Sequence, residues 1–307
     1  MPPRSYFLWK KEIDKTETKK KGRKTSPENK LSSKEKEEVV NVLLRNEWAD
    51  YSPREIYYKL IDEEKRIIAS PATFYRIAKN ADLLTRRSKT NANRPLNREK
   101  PHLVATGPNQ VWSWDVSQIK SECRSVRFYL YVIVDIWSRL VVGWALEDHE
   151  KSEHAIIMWK KALEDQYITG NGLINHKDNG AIMTSHEMIK FVRDAQMVDS
   201  YSRAGVSDDN PFSESLFGTI KTFRTFPGSF FGLESGREYF KNYFHDYNYC
   251  YKHSRIQFIT PAERHYGEET KILDSRNETI NKFYATHSHR YAKVAKKFTP
   301  IIEVKIN

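Results

Sequence analysis

The spacing of apolar and polar residues changes character twice along the chain. Residues 1–32 are polar and rich in lysine, with no apolar period after a short amphipathic start. They predict a basic flexible arm. Helical spacing begins next. Val39, Val42, Leu43 and Leu44 share a face over 34–46. Ser52-Pro53 opens a second helix to about residue 64, with Ile56, Leu60 and Ile61 inward. Ser70-Pro71 opens a third, with Phe74 and Ile77 inward. Residues 87–107 lose all periodicity, carry Pro and Asn, and predict a linker.

From Val111 the period becomes that of strands. Trp112, Trp114 and Val116 fall on one face of a first strand, with Ser113 and Asp115 on the other. RFYLYVIVD, at 127–135, is nearly continuous apolar sequence and predicts a central strand covered on both sides. A tight turn leads to a third strand over 140–146. Ser152 then caps a helix with Ala155, Ile156, Trp159, Ala162 and Leu163 buried. A short fourth strand, 173–176, ends at KDNG. Thr184 and Glu187 form a capping-box pattern for a helix to Ala195, and 198–202 makes a fifth strand. The last helix of the series is opened by Asn210 and Pro211, suited to the cap and first positions. It buries Phe212, Leu216, Ile220 and Phe223 while Glu214, Gly218 and Lys221 look outward. The order of elements is that of an α/β domain over 108–262, with an antiparallel start and a parallel finish, preceded by an all-α unit over 33–86. A helical stripe of Tyr239, Phe240, Tyr243, Phe244 and Tyr247 predicts a helix packed on that core. Residues 263–307 make a small C-terminal basic segment, with a hairpin expected near its end.

Charge sharpens this division. The chain of 307 residues has a net charge of +11; residues 1–110 carry +10 of it, whereas 111–260 carry −2. Polyanion binding by the front and cation binding by the middle would produce that split. Arg54, Lys59, Arg76 and Lys79 are expected among the exposed residues of the front helices, and the basic bias favours a DNA-binding helix-turn-helix over an ordinary three-helix bundle. Two distant cysteines, Cys123 and Cys250, indicate neither a disulfide framework nor a zinc site. No apolar run is long enough for a membrane span, and the N-terminus lacks a signal-peptide core. An intracellular, cytoplasmic setting is the expectation, close to the nucleoid for a DNA-binding chain.

The middle of the chain holds the candidate chemistry. If the first and fourth strands are parallel neighbours, Asp115 and Asp178 sit side by side, and Glu214 on the last helix supplies a third carboxylate. Three such groups repel one another and call for divalent cations. Oxygen-only ligation suits Mg2+ or Mn2+, and two such ions suit metal-assisted phosphodiester chemistry. Asp135, Asp208 and Asp209 compete by composition, but fall at a strand end and in a loop before the helix cap.

At these residues the chain resembles an insertion-sequence transposase of the retroviral-integrase superfamily, the bacterial type often encoded in two overlapping frames. The carriers are GPNQVWSWDVSQIK, FYLYVIVDIWSRLVVGWAL, HKDNG, SDDNPFSESLFGTIK and YNYCYKHSRIQFITPAE. The 35 residues between Asp178 and Glu214 match the D,D-35-E signature. The resemblance implies an RNase H-like five-stranded mixed sheet flanked by helices, with Asp115, Asp178 and Glu214 as a triad binding two Mg2+ or Mn2+ ions. It implies cutting of double-stranded DNA at transposon ends, strand transfer by the freed 3′-hydroxyl, and a homo-oligomer assembled on DNA. Lys221 corresponds to a position that touches the DNA end, and Asn179, Gly180, Asn210 and Pro211 shape the site. The chain departs from the pattern at Lys177, a cation beside Asp178 that would meet phosphate, and at Tyr251-Lys252, where an Arg is usual. No zinc module precedes the core. Two other readings stand beside this one: a DNA-binding regulator with a silent core, and an RNase H-type nuclease.

Overall fold

The computed structural model describes residues 30–48, 51–81, 83–84, 102–202, 210–287 and 297–306. The expected basic arm lies almost wholly outside the described residues, as do most of the linker and the loop carrying Asp208 and Asp209.

Three front helices form where the caps predict them: α1 (Ser33–Leu43), α2 (Pro53–Glu64) and α3 (Pro71–Asn80). Ser32–Glu35 and Ser52–Glu55 close reciprocal capping boxes, and the Ser70 hydroxyl accepts from Thr73 N–H. Val39, Ile56, Leu60, Ile61 and Phe74 are buried between them. Leu44, expected inward, is exposed, because it falls on the residue that ends α1.

A short β1 (Leu103–Ala105) precedes β2 (Val111–Ser121), β3 (Arg127–Asp135) and β4 (Val141–Glu147). Then come α4 (Ser152–Asp165), β5 (Ile174–Lys177), α5 (His186–Asp194), β6 (Val198–Tyr201), α6 (Pro211–Thr222), β7 (Ser229–Phe230) and α7 (Leu233–Tyr249). The strand order is β4-β3-β2-β5-β6, antiparallel from β4 to β2 and parallel from β2 to β6. This is the RNase H-like mixed sheet, with one addition. Ser229 and Phe230 pair parallel with Lys120 and Ser121 as a sixth strand. Two residues carry no period, so the sequence gives no sign of it. Ser185 rather than Thr184 caps α5, and the position before α4 is Lys151, without a side-chain cap.

The sheet separates two apolar layers. Trp112 and Trp114 point to the side covered by α4 and α5, packing on Trp159. Val111 and Ile119 point to the other side, covered by Phe212, Leu216 and Ile220 of α6 and Phe240 and Phe244 of α7. The aromatic stripe of α7 is thus core. Gly236 lets its first turn approach β4, since a Cβ there would stand 2.5 Å from Leu146 Cδ2.

β4 is an edge strand, and α7 closes it with side chains. Asn248 accepts from Val141 N–H and donates to Val141 C=O, both at 2.9 Å, as a neighbouring strand would. Arg237 donates to Leu146 C=O at 3.0 Å and pairs with Glu147 at 2.8 Å. Asn248→Ala leaves both Val141 groups without these partners. It is expected to cost about 1–3 kcal/mol, read from the urea midpoint; an unchanged midpoint would show that water replaces the amide.

The chain closes with α8 (Pro261–His265), α9 (Glu269–Thr286) and β8 (Val304–Ile306). The expected C-terminal hairpin is not what forms. Val304–Ile306 instead pairs antiparallel with Leu103–Ala105, inside the stretch read as linker. The front helices share one apolar cluster with Phe258, Ile280 and Phe298. Contacts between residues some two hundred positions apart leave no local period, which is why the pattern missed them.

Candidate active site

β2 and β5 run in parallel register, Trp112 opposite Asn175 and Ser113 opposite His176. Carried two residues on, the same register brings Asp115 level with Asp178, one residue past the end of β5. Neighbouring strands lie about 4.8 Å apart, so the two carboxylates share one edge of the crevice. Both are half-buried.

A row of polar contacts fixes α6 along the Asp115 face of β2. The Asn210 side chain makes no cap bond; it is turned onto the strand, accepting from Ser113 Oγ and donating to Trp114 C=O at 3.2 Å. Ser113 Oγ also meets Ser213 Oγ at 2.9 Å, and Lys221 Nζ donates to Ser117 Oγ at 2.7 Å. Eight helical residues span about 12 Å and four strand residues about 13 Å, so helix and strand run in step. Ser113, Asp115 and Ser117 alternate onto this face. Glu214, in the first turn of α6, is exposed at the same end as the Ser113–Ser213 contact.

The electrostatics agree with that placement. Burial pushes the Asp115 carboxyl up from its ordinary 3.8 to about 7, against the opposing Val116 N–H, which donates to it at 2.7 Å. The charges of Asp178, Glu214 and, last, Glu150 contribute to the same rise. A carboxyl raised in this way stabilises the folded chain fully below pH 3.8, and that stability is lost as pH rises through about 7. Metal-free protein is therefore expected to lose thermal stability as pH rises from 3.8 to about 7, and Asp115→Asn to flatten the profile. Equal slopes for the two proteins would refute the assignment.

Every donor here is oxygen, and Asp115 is both desolvated and repelled by like charges. A divalent cation relieves each of these penalties, and hard ions such as Mg2+ or Mn2+ fit the donor set. Among the described residues, no group of three His, Cys, Asp or Glu side chains is gathered tightly enough to hold an ion as it stands. Asp115 lies within β2 and Asp178 directly follows β5; of the three, Glu214 has the longest side chain and the greatest exposure.

The remaining candidates divide. Asn179 Nδ2 donates to Ser202 C=O at 2.6 Å, tying the turn after β5 to the end of β6. Gly180 C=O accepts from Met183 and Thr184 N–H, and Pro211 occupies the first turn of α6. Arg54, Arg76 and Lys79 are exposed on the front helices, whereas Lys59, expected outward, is buried and paired with Glu63 at 2.8 Å. Lys177 departs from expectation: it is fully buried, 2.7 Å from Asp199 and over the Tyr201 ring, and burial lowers its pKa. As the last residue of β5, it alternates to the face opposite Asp178, so it does not reach phosphate. Lys252 is also buried, paired with Asp62 at 3.4 Å and Glu263 at 3.2 Å. Asp135 is a turn anchor, accepting from Asn109 N–H and from Ser138. Sequence reasoning passed over Ser113, Ser213 and Ser117. The available signal was their place, two residues either side of Asp115 and one before Glu214.

Residues 105–207 match the integrase core domain family. Beyond that domain, the chain is similar to insertion-sequence transposases. It is 28% identical over 160 residues to the transposase InsF for insertion sequence IS3A of Escherichia coli (strain K12), covering 52% of this chain and 54% of that protein. It is 29% identical over 170 residues to the transposase for insertion sequence element IS904 of Lactococcus lactis subsp. lactis (strain IL1403), covering 53% and 66%. The match thus spans about half the length of the first of these curated relatives. Among solved structures, the HTLV-2 integrase catalytic core domain in complex with magnesium aligns over 52% of this chain and 97% of its own, with a TM-score of 0.40 and 20% identity. The Mos1 transposase catalytic domain with raltegravir and Mg aligns over 57% and 83%, with a TM-score of 0.39 and 14% identity. The integrase core begins at β1 and ends within the loop before α6, so Asp115 and Asp178 lie inside the matched residues and Glu214 just beyond them.

Proposed function

We propose that this chain is a DNA transposase that cuts at the ends of an insertion element and joins the freed 3′-hydroxyl to a target phosphodiester. The observation that carries the reading is the level pairing of Asp115 and Asp178 on adjoining parallel strands, with the Glu214 turn of α6 fixed alongside. These three carboxylates would hold two Mg2+ or Mn2+ ions. Such ions, when bound, activate a hydroxyl nucleophile and steady the leaving oxygen of an in-line displacement.

The chain's own residues do the rest. Ser113, Ser213 and Asn210 keep α6 in step with β2 and so aim Glu214 toward the Asp115 face. Asn179 holds the turn that presents Asp178. Lys221, which donates to Ser117 Oγ on this face, would meet a phosphate of the DNA end. Arg54, Arg76 and Lys79 on the front helices would contact the backbone and bases of the element end as a helix-turn-helix does. Two ends must be brought together, so a dimer or larger assembly on DNA is expected, in a bacterial cytoplasm at the nucleoid.

The test is incubation of labelled element-end DNA with the protein in Mg2+ and in Ca2+. Cutting and strand joining in Mg2+, with binding alone in Ca2+, is the expected result. Cleavage of an RNA–DNA hybrid without joining would point to an RNase H-type nuclease. Binding without cutting in either ion would point to a regulator with a silent core.

A further inference from the structure

The front helices are joined by buried charge to α9, the helix that follows the integrase core. Arg276 of α9 is fully buried and grips Asp62 of α2 in two bonds, Nε to Oδ1 at 2.9 Å and the second nitrogen to Oδ2 at 2.6 Å. Its guanidinium lies over Tyr58 of α2, 4.5 Å from the ring centre, and donates to the carbonyls of Gln257 and Phe258. Tyr58 itself stacks on Phe258 at 4.4 Å. Gln257 and Phe258 are consecutive left-handed residues, neither of them glycine, with φ of 61° and 59°. Two bulky residues hold that backbone only where the surroundings over-determine it, and Arg276 on their carbonyls supplies the constraint.

From this joint a bonded path leads into the sheet. Lys252 bridges Asp62 to Glu263, and Glu263 closes the capping box of α8. His265 of α8 bonds Ser138 at 2.8 Å, and Ser138 bonds Asp135 at the end of β3. These contacts all fall outside the segment between α3 and β1.

We propose that Arg276 and Asp62 are positioning residues: their buried pair locks the front helices onto the integrase core and sets the separation between α3 and the Asp115–Asp178 face. The functional consequence rests on the transposase reading above. With the end held by α3, a fixed separation makes the cut fall at one phosphodiester, whatever the length of the intervening segment.

The experiment uses the full chain with Cys123→Ser and Cys250→Ser, spin-labelled at Asn80→Cys and Lys161→Cys, both exposed positions. Pulsed electron resonance is expected to give one narrow distance distribution. Four Gly-Ser residues inserted between Ala92 and Asn93 leave it narrow, whereas Arg276→Ala broadens it. Should Arg276→Ala fail to fold, Asp62→Asn carries the same expectation, with circular dichroism confirming the fold. On element-end DNA in Mg2+, the insertion variant cuts where the unaltered chain cuts. Arg276→Ala cuts at several positions, with about 100-fold less at the original one. A narrow distribution in the folded Arg276 or Asp62 variant, or broadening by the insertion, overturns the joint. Broadening with a single unchanged cut position overturns the positioning role and leaves a purely structural pair. Absence of cutting by the unaltered chain defeats the transposase reading and the positioning role with it, while the distances still decide the joint.

Discussion

Asp178→Asn is expected to abolish metal-dependent cutting of element-end DNA, by about 10³-fold or more, while binding of that DNA in Ca2+ is retained. The carboxamide keeps the size of the side chain at the end of β5 and removes its charge. Asp178 follows directly on the buried end of β5 and is only half-buried itself. Its charge pushes the Asp115 carboxyl upward. Removing it should relieve repulsion in the metal-free protein and at the same time delete one ligand. A variant that melts no lower than the parent, binds DNA and does not cut is the combined signature. Loss of binding together with cutting would assign Asp178 to folding instead.

The second large effect concerns stability. Asp199 holds three donors on β5 and β6: Lys177 at 2.7 Å, Asn175 at 2.9 Å and Tyr201 at 3.1 Å. Asp199→Ala leaves the Lys177 ammonium buried without its carboxylate, at a cost of about 3–5 kcal/mol. Burial already lowers the Lys177 pKa, and loss of Asp199 lowers it further. A base depressed in the folded state destabilises it as pH falls below the unfolded value of 10.5, so the deficit should shrink at alkaline pH. Replacing both partners, Lys177→Met with Asp199→Leu, should recover most of the loss. Urea unfolding at pH 7 and pH 9.5 measures both effects. Equal stability of Asp199→Ala and the parent would show that Lys177 finds water despite its burial.

The positions of these residues mark what local sequence pattern reaches and where it stops. Asp115 was readable because the alternation in β2 is strict, with its tryptophans fixing which face the carboxylate takes. Asp178 and α6 were readable because an Asn-Gly turn and an Asn-Pro start are local signals. Lys177 was misread as a phosphate contact because β5 is only four residues long and its face depends on Asp199, a partner on another strand. The Asn210 side chain was expected to cap α6 and instead binds Ser113 and Trp114, since a buried strand offered it better partners than the helix end. Arg276 and Asp62 are 214 positions apart, and nothing in either neighbourhood announces the pair. Local period and caps fix elements; long-range charge pairing has no local trace.

The account rests on three carboxylates closing around divalent ions. A crystal structure with Mn2+, using its anomalous signal, tests this most directly. The account predicts a peak bridging Asp115 and Asp178, with Glu214 turned in to share the second ion. Manganese bound elsewhere, or Glu214 turned away from both aspartates with the ions in place, would contradict it.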